Sequence, residues 1–151
     1  PEYRWYNGKA EYHKFGDKID PGNIVNINGL SGSIYDENAK ITPFKLMRGK
    51  QIYDTKNRYL ITPKMFGEGG YWSDFSWDKA AELGMTASNL EYSGEFDFVE
   101  TRMYWPINHM VAPAGKSLKC TDCHTRKETK RLDWQQLGYK GDPMTVGGRA
   151  K

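Results

Sequence analysis

The sequence predicts a mixed, loop-dominated body in which a few short helices and short β-hairpins pack around a large, flat group. Three observations carry that expectation. Aromatic residues number 21 against 20 Ile, Leu and Val. So few branched aliphatics do not suit a tight helical bundle or a parallel-sheet enzyme core, and the aromatics suit packing against something planar. Sixteen Gly and seven Pro interrupt nearly every run, which keeps regular elements short. The only two cysteines, Cys120 and Cys123, stand with His124 in a C-x-x-C-H pentapeptide, the attachment pattern for c-type haem.

The elements follow in chain order. Asn7-Gly8 and Asn28-Gly29 read as turn dipeptides, and Pro21-Gly22, Gly67 and Gly69-Gly70 break the chain further. Residues 1–70 are expected to hold little regular structure, apart from a short hairpin made by Gln51-Ile-Tyr-Asp54 and Arg58-Tyr-Leu-Ile61. A stretch that irregular reads as a wrapping segment rather than an independent domain. A short helix is expected from Asp74 or Ser76 through Leu83, with Gly84 as its stop. An extended segment covers Phe96 to Tyr104, and a second short helix runs from Leu132 or Asp133 to Leu137, stopped by Gly138. Gly147-Gly148 breaks the end of the chain, and there is no repeat, heptad or low-complexity tract.

With 151 residues the chain has one domain's worth of length. No apolar run approaches the length of a membrane span. The net charge of +3 gives little support to nucleic-acid or membrane-surface binding. That charge is unevenly placed. Residues 1–113 carry 13 Lys/Arg and 15 Asp/Glu, whereas residues 114–151 carry 9 and 4. The basic excess therefore surrounds the cysteines. It is either a solvated face or compensation for bound anionic groups or an acidic partner. The opening Pro1-Glu-Tyr-Arg-Trp5 has neither an initiator Met nor a leader, so processing, trimming or an interior cut is expected.

The spacing in Cys120-Thr-Asp-Cys-His124 has a chemical basis. Each thiol S–H can add across one of the two vinyl groups of a single porphyrin, giving two thioethers. The imidazole that follows is then placed on the iron from the same side, where axial ligation sets much of the metal's chemistry. Other readings fit less of the pattern. A structural zinc site needs four Cys or His ligands, and the two Cys and three His here include no second paired motif. A thioredoxin-like redox pair should open a helix after a strand, whereas Lys119 precedes the motif in a Pro/Gly-broken stretch. A simple disulfide is compatible with the spacing but gives His124 no role. Single-haem architectures also fit poorly. The small soluble type places its motif near the N-terminus, and the four-helix type needs long helices that this Gly and Pro content forbids.

A family resemblance rests on particular segments. These are Met103-Tyr-Trp-Pro-Ile-Asn-His-Met-Val-Ala-Pro113, Leu118-Lys-Cys-Thr-Asp-Cys-His124, Arg131-Leu-Asp133 and Leu137-Gly-Tyr-Lys-Gly-Asp-Pro143. Upstream, Trp5-Tyr-Asn-Gly8, Gly16-Asp-Lys-Ile19, Ala39-Lys-Ile-Thr-Pro-Phe44 and Gly94 through Val99 add to it. Together they resemble the C-terminal region of the octahaem tetrathionate reductase family of c-type cytochromes, within the hydroxylamine oxidoreductase superfamily. The resemblance implies a mixed, loop-dominated multihaem cytochrome type of fold. It divides the chain into a wrapping segment, 1–102, and a haem-attachment core, 103–143, within one C-terminal haem-binding region, 1–151. That family carries eight haems and this chain one motif, so the resemblance places the others upstream or on another chain.

The other two histidines are candidate axial ligands. His109 lies in the block of closest resemblance, bracketed by Pro106 and Pro113. It is expected to ligate this iron or a neighbour, the alternative being a packed core histidine. His13, in a polar stretch, is the weaker candidate, with a surface histidine as its alternative. The expectation is thus an exported polypeptide, periplasmic or extracellular, carrying one haem c on Cys120, Cys123 and His124. Its partners would be further multihaem cytochrome polypeptide or an upstream segment, and a redox partner. It would pass electrons between neighbouring haems and would not fold as an autonomous unit. The rival reading is part of a multihaem oxidoreductase acting on small sulfur or nitrogen oxyanions. A third is a non-redox module in which the pentapeptide is accidental.

Overall fold

The computed structural model describes residues 1–107, 112–125 and 131–149. The strands are β1 (Glu2–Tyr6), β2 (Ala10–Tyr12), β3 (Val25–Asn26), β4 (Asn28–Leu30), β5 (Lys40–Asp54), β6 (Tyr59–Leu60) and β7 (Phe96–Pro106). The helices are α1 (Tyr71–Asp74), α2 (Trp77–Ala87), α3 (Cys120–Cys123) and α4 (Pro143–Val146). Hydrogen-bonded neighbours run β1-β5-β7-β3, with β6 also on β5, while β2 and β4 form a separate pair. Among the described residues no helix is long and apolar enough to cross a membrane. The chain divides into two compact units. The first holds Pro1–Glu11, Leu30–Leu46 and Tyr104–Lys151, and the second Tyr12–Gly29 and Met47–Met103.

In the first unit β1 pairs antiparallel with the start of β5, in a register from Glu2↔Phe44 to Tyr6↔Lys40. Phe44 is buried and takes Tyr6 and Tyr104 edge-on, at centroid distances of 5.4 and 6.1 Å. The local core is Leu132, Trp134 and Leu137, packed with Tyr3, Trp5, Ile41, Cys123 and Tyr139. Near the C-terminus Arg149 donates to the carbonyls of Ser33, Ile34, Asp36 and Ala39 and lies 4.3 Å over the Trp5 ring. A guanidinium can serve so many acceptors because its donors form a rigid planar fork.

The second unit has two small cores. One gathers Ile52, Tyr59, Ile61, Ala81 and Met85, and the other Ile19, Val25, Tyr53 and Val99. The end of β5 turns back into β6 with Tyr53 opposite Leu60, and β3 runs parallel to β7. Helix α2 starts on Ser76, whose side chain accepts from the Lys79 N–H, and buries Ala80, Ala81, Gly84 and Met85. Tyr71 stacks on Trp77 at 3.9 Å, extending an aromatic surface that includes the exposed Trp72 and Phe75.

The mixed, loop-rich fold class is as expected, but several elements differ from the sequence reading. Residues 1–70 hold six strands rather than one short hairpin, because the expected strand at 51–54 is the end of a 15-residue strand. Its middle, Lys45 to Gln51, shows mostly exposed polar residues without apolar alternation, so periodicity could not reveal it. Asn7-Gly8 turns as expected, with Gly8 at φ +90°, whereas Asn28-Gly29 lies within β4. Gly84 does not stop α2, which continues to Ala87. The expected helix at 132–137 is instead a set of turns. Asp133 accepts from the Gln136 N–H and its carbonyl from Leu137, and Gly138 at φ +89° ends the coil before it can propagate.

Candidate haem-attachment site

The pentapeptide folds as one helical turn. The Asp122 carboxylate accepts the Lys119 N–H at 2.7 Å, and the His124 N–H closes the turn onto the Cys120 carbonyl at 2.8 Å. One turn therefore carries Cys120, Cys123 and His124 together. The thiols are not bridged to each other. Cys120 is exposed, while Cys123 is half-buried against the Leu132–Trp134–Leu137 cluster. A 3-10 turn at Ala114–Lys116 precedes α3, where a thioredoxin-like pair would follow a strand. A polar hollow lined by Pro1, Tyr3, Leu118, Asp122 and Arg131 opens beside the turn.

His124 is held from two sides. Its Nδ1 lies 2.7 Å from Asp142 Oδ1, and its ring stacks on Trp134 at 5.1 Å and 17°. Asp142 caps α4, its side chain accepting from the Met144 N–H, with Pro143 in the first helical position. The bond from His124 is the largest of the effects that keep the Asp142 carboxyl below its ordinary range. Trp134 is buried, and its indole N–H finds no acceptor among the described residues.

His109 lies outside the described residues. His13 belongs to the second unit, where its backbone N–H donates to the Ile27 carbonyl. Its Nε2 is buried and has no hydrogen-bond partner among the described residues. A buried ring nitrogen without a partner is costly, and ligation is one way to satisfy it. The donor set fits haem c: two unbridged thiols on one turn, then an imidazole whose Nδ1 is engaged, so that the neutral ring has its lone pair at Nε2.

Sequence reasoning did not find Asp142 or Trp134 as parts of this site. The Asp142-Pro143 pair is a helix-start signature, but nothing local ties it to a residue 18 positions upstream.

The family model described as bacterial cytochrome c matches residues 1–127. The crystal structure of an octahaem cytochrome c from Shewanella oneidensis superposes with a TM-score of 0.90 at 48% sequence identity. The match covers 100% of this chain and 36% of that one, so this chain spans about a third of that protein's length. No curated protein matches the sequence.

Proposed function

The chain belongs to the bacterial cytochrome c family, and on that premise we propose that it is an electron-transfer polypeptide of a multihaem assembly. Haem c is its covalently bound cofactor, and the group supplies a one-electron couple at its iron. The observation that carries the proposal is the gathering of both unbridged cysteines and His124 on one turn, with Nδ1 already engaged. Likeness to an octahaem cytochrome over the whole chain supports it.

In this reading the Cys120 and Cys123 thiols form the two thioethers, and His124 is the proximal ligand. His109 supplies a distal ligand to this or a neighbouring iron, and His13, whose buried Nε2 has no hydrogen-bond partner among the described residues, is the weaker candidate. Residues 103–143 are the attachment core of one haem-binding region, 1–151. The protein is exported, and further haems reside on adjoining polypeptide. Buried Trp134 covers one face of the His124 ring, and the water it excludes there lowers the solvent reorganisation that accompanies a change of charge.

The test is the double variant Cys120→Ala/Cys123→Ala in the whole cytochrome. One haem should be lost, and electron exchange among the remaining haems, followed by stopped-flow spectroscopy, should slow at least tenfold. Unchanged exchange with one haem missing would remove the conduit reading. Unchanged exchange accompanied by lost turnover of sulfur or nitrogen oxyanions would favour the oxidoreductase reading instead.

A further inference from the structure

We propose that Asp142 is a positioning residue for His124, fixing the tautomer and plane of the imidazole and strengthening it as a donor to iron. The inference rests on the reading of His124 as an axial ligand.

The geometry begins with the 2.7 Å contact between His124 Nδ1 and Asp142 Oδ1. An ionised carboxylate can only accept, so Nδ1 carries the hydrogen and donates it, which leaves the Nε2 lone pair for metal. The ring cannot easily rotate away. Trp134 stacks against it at 17°, and Trp134 is itself held edge-on by Tyr139 at 5.5 Å. Nor can the carboxylate easily swing out. The same Oδ1 accepts the Met144 N–H at 2.9 Å, Pro143 restricts the backbone beside it, and the Asp142 carbonyl accepts from Thr145 and Val146. Side-chain exposures of 27% for His124 and 21% for Asp142 distinguish this from a freely solvated surface pair.

A carboxylate on the outer nitrogen raises the basicity of a ligating imidazole and orients it. A more basic donor favours the ferric over the ferrous state. The consequence is a lower potential for the haem on this chain than a neutral partner at the same position would give. The basic excess of residues 114–151 acts in the opposite sense, so Asp142 would offset a local field that favours reduction.

Asp142→Asn tests this in the whole, haem-loaded cytochrome. Asn keeps the size, the capping ability and an acceptor oxygen, and removes the charge. Redox titration followed by visible and paramagnetic resonance spectra gives the potential, the component belonging to this haem being the one missing from Cys120→Ala/Cys123→Ala. The reduction equilibrium of that component should shift tenfold or more toward ferrous, about 59 mV for one electron. Asp142→Glu should recover most of the shift. A purely structural role would leave the potential unmoved, so an intact haem with less than a threefold change, or a shift toward ferric, overturns the proposal. Should Asp142→Asn fail to accumulate, proton resonance of the unaltered ferric protein decides. A slowly exchanging His124 Nδ1–H supports the inference and a rapidly exchanging one overturns it. A colourless peptide spanning residues 120–124 removes the ligand reading itself and, with it, this inference. An intact haem with an unmoved potential removes the inference alone.

Discussion

Asp54 is completely buried, and five donors converge on its carboxylate: the N–H groups of Lys56, Asn57 and Ser93, the Asn57 amide and the Ser93 hydroxyl. It shapes the β5–β6 turn and ties the segment at Ser93 to it. Burial pushes its carboxyl up, but the donors from Asn57 and Ser93 outweigh this and leave it below the ordinary value of 3.8. The stabilisation is therefore fully present above the ordinary carboxyl range and is lost as pH falls through the lowered native value. Asp54→Ala should cost about 3 kcal/mol at neutral pH, the upper range for one hydrogen bond to a charged group. The deficit should narrow as the medium is made more acidic than pH 4. Denaturant unfolding of both proteins across that range checks it, and a deficit that is independent of pH would contradict the ionised role. The sequence around Asp54 announces a turn, since Asp-Thr-Lys-Asn-Arg is rich in turn formers. It does not announce Ser93, because a partner 39 positions away leaves no local trace.

The same division between local and distant causes governs the elements. The hairpin closing on Tyr53↔Leu60 and the strand beginning at Phe96 were legible, as both rest on local alternation and turn chemistry. Gly84 was not. Local rules make a glycine after Leu83 a helix stop, yet α2 runs through it, because a Cβ there would lie 1.8 Å from the Thr62 carbonyl oxygen. The glycine marks close approach of α2 to the backbone of residues 62–64, not an end. Gly84→Ala separates the two explanations. Helix propensity alone would stabilise the protein by about 1 kcal/mol, whereas the collision should destabilise it by about 3 kcal/mol through overpacking. Thermal unfolding gives the sign directly. The turn of α3 was missed for a related reason. Four residues are too few for periodicity to register, and the side chain that starts the turn, Asp122, lies inside the motif already read for its cysteines.

For the molecule as a whole, chemistry was more legible than architecture. Covalent attachment needs a short, contiguous pattern, so Cys120, Cys123 and His124 stand out as candidates from the chain alone. The carboxylate and indole that hold His124 come from the segment 131–149 and join it only through folding. The aromatic excess shows in the half-buried rings packed around the Trp134 and Tyr59 clusters, whereas the core of Ile19, Val25, Tyr53 and Val99 is mainly branched aliphatic. The division into two compact units was not legible, because each is assembled from separate stretches of chain and no linker marks a boundary. At this scale the central claim is covalent haem on a single helical turn. Denaturing electrophoresis with haem-peroxidase staining, followed by the mass of the peptide containing residues 120–124, tests it most directly. The account predicts a stained chain whose peptide carries one haem through thioethers at both Cys120 and Cys123. A chain that runs colourless after acid–acetone extraction, with both cysteines recovered as free thiols, would contradict it.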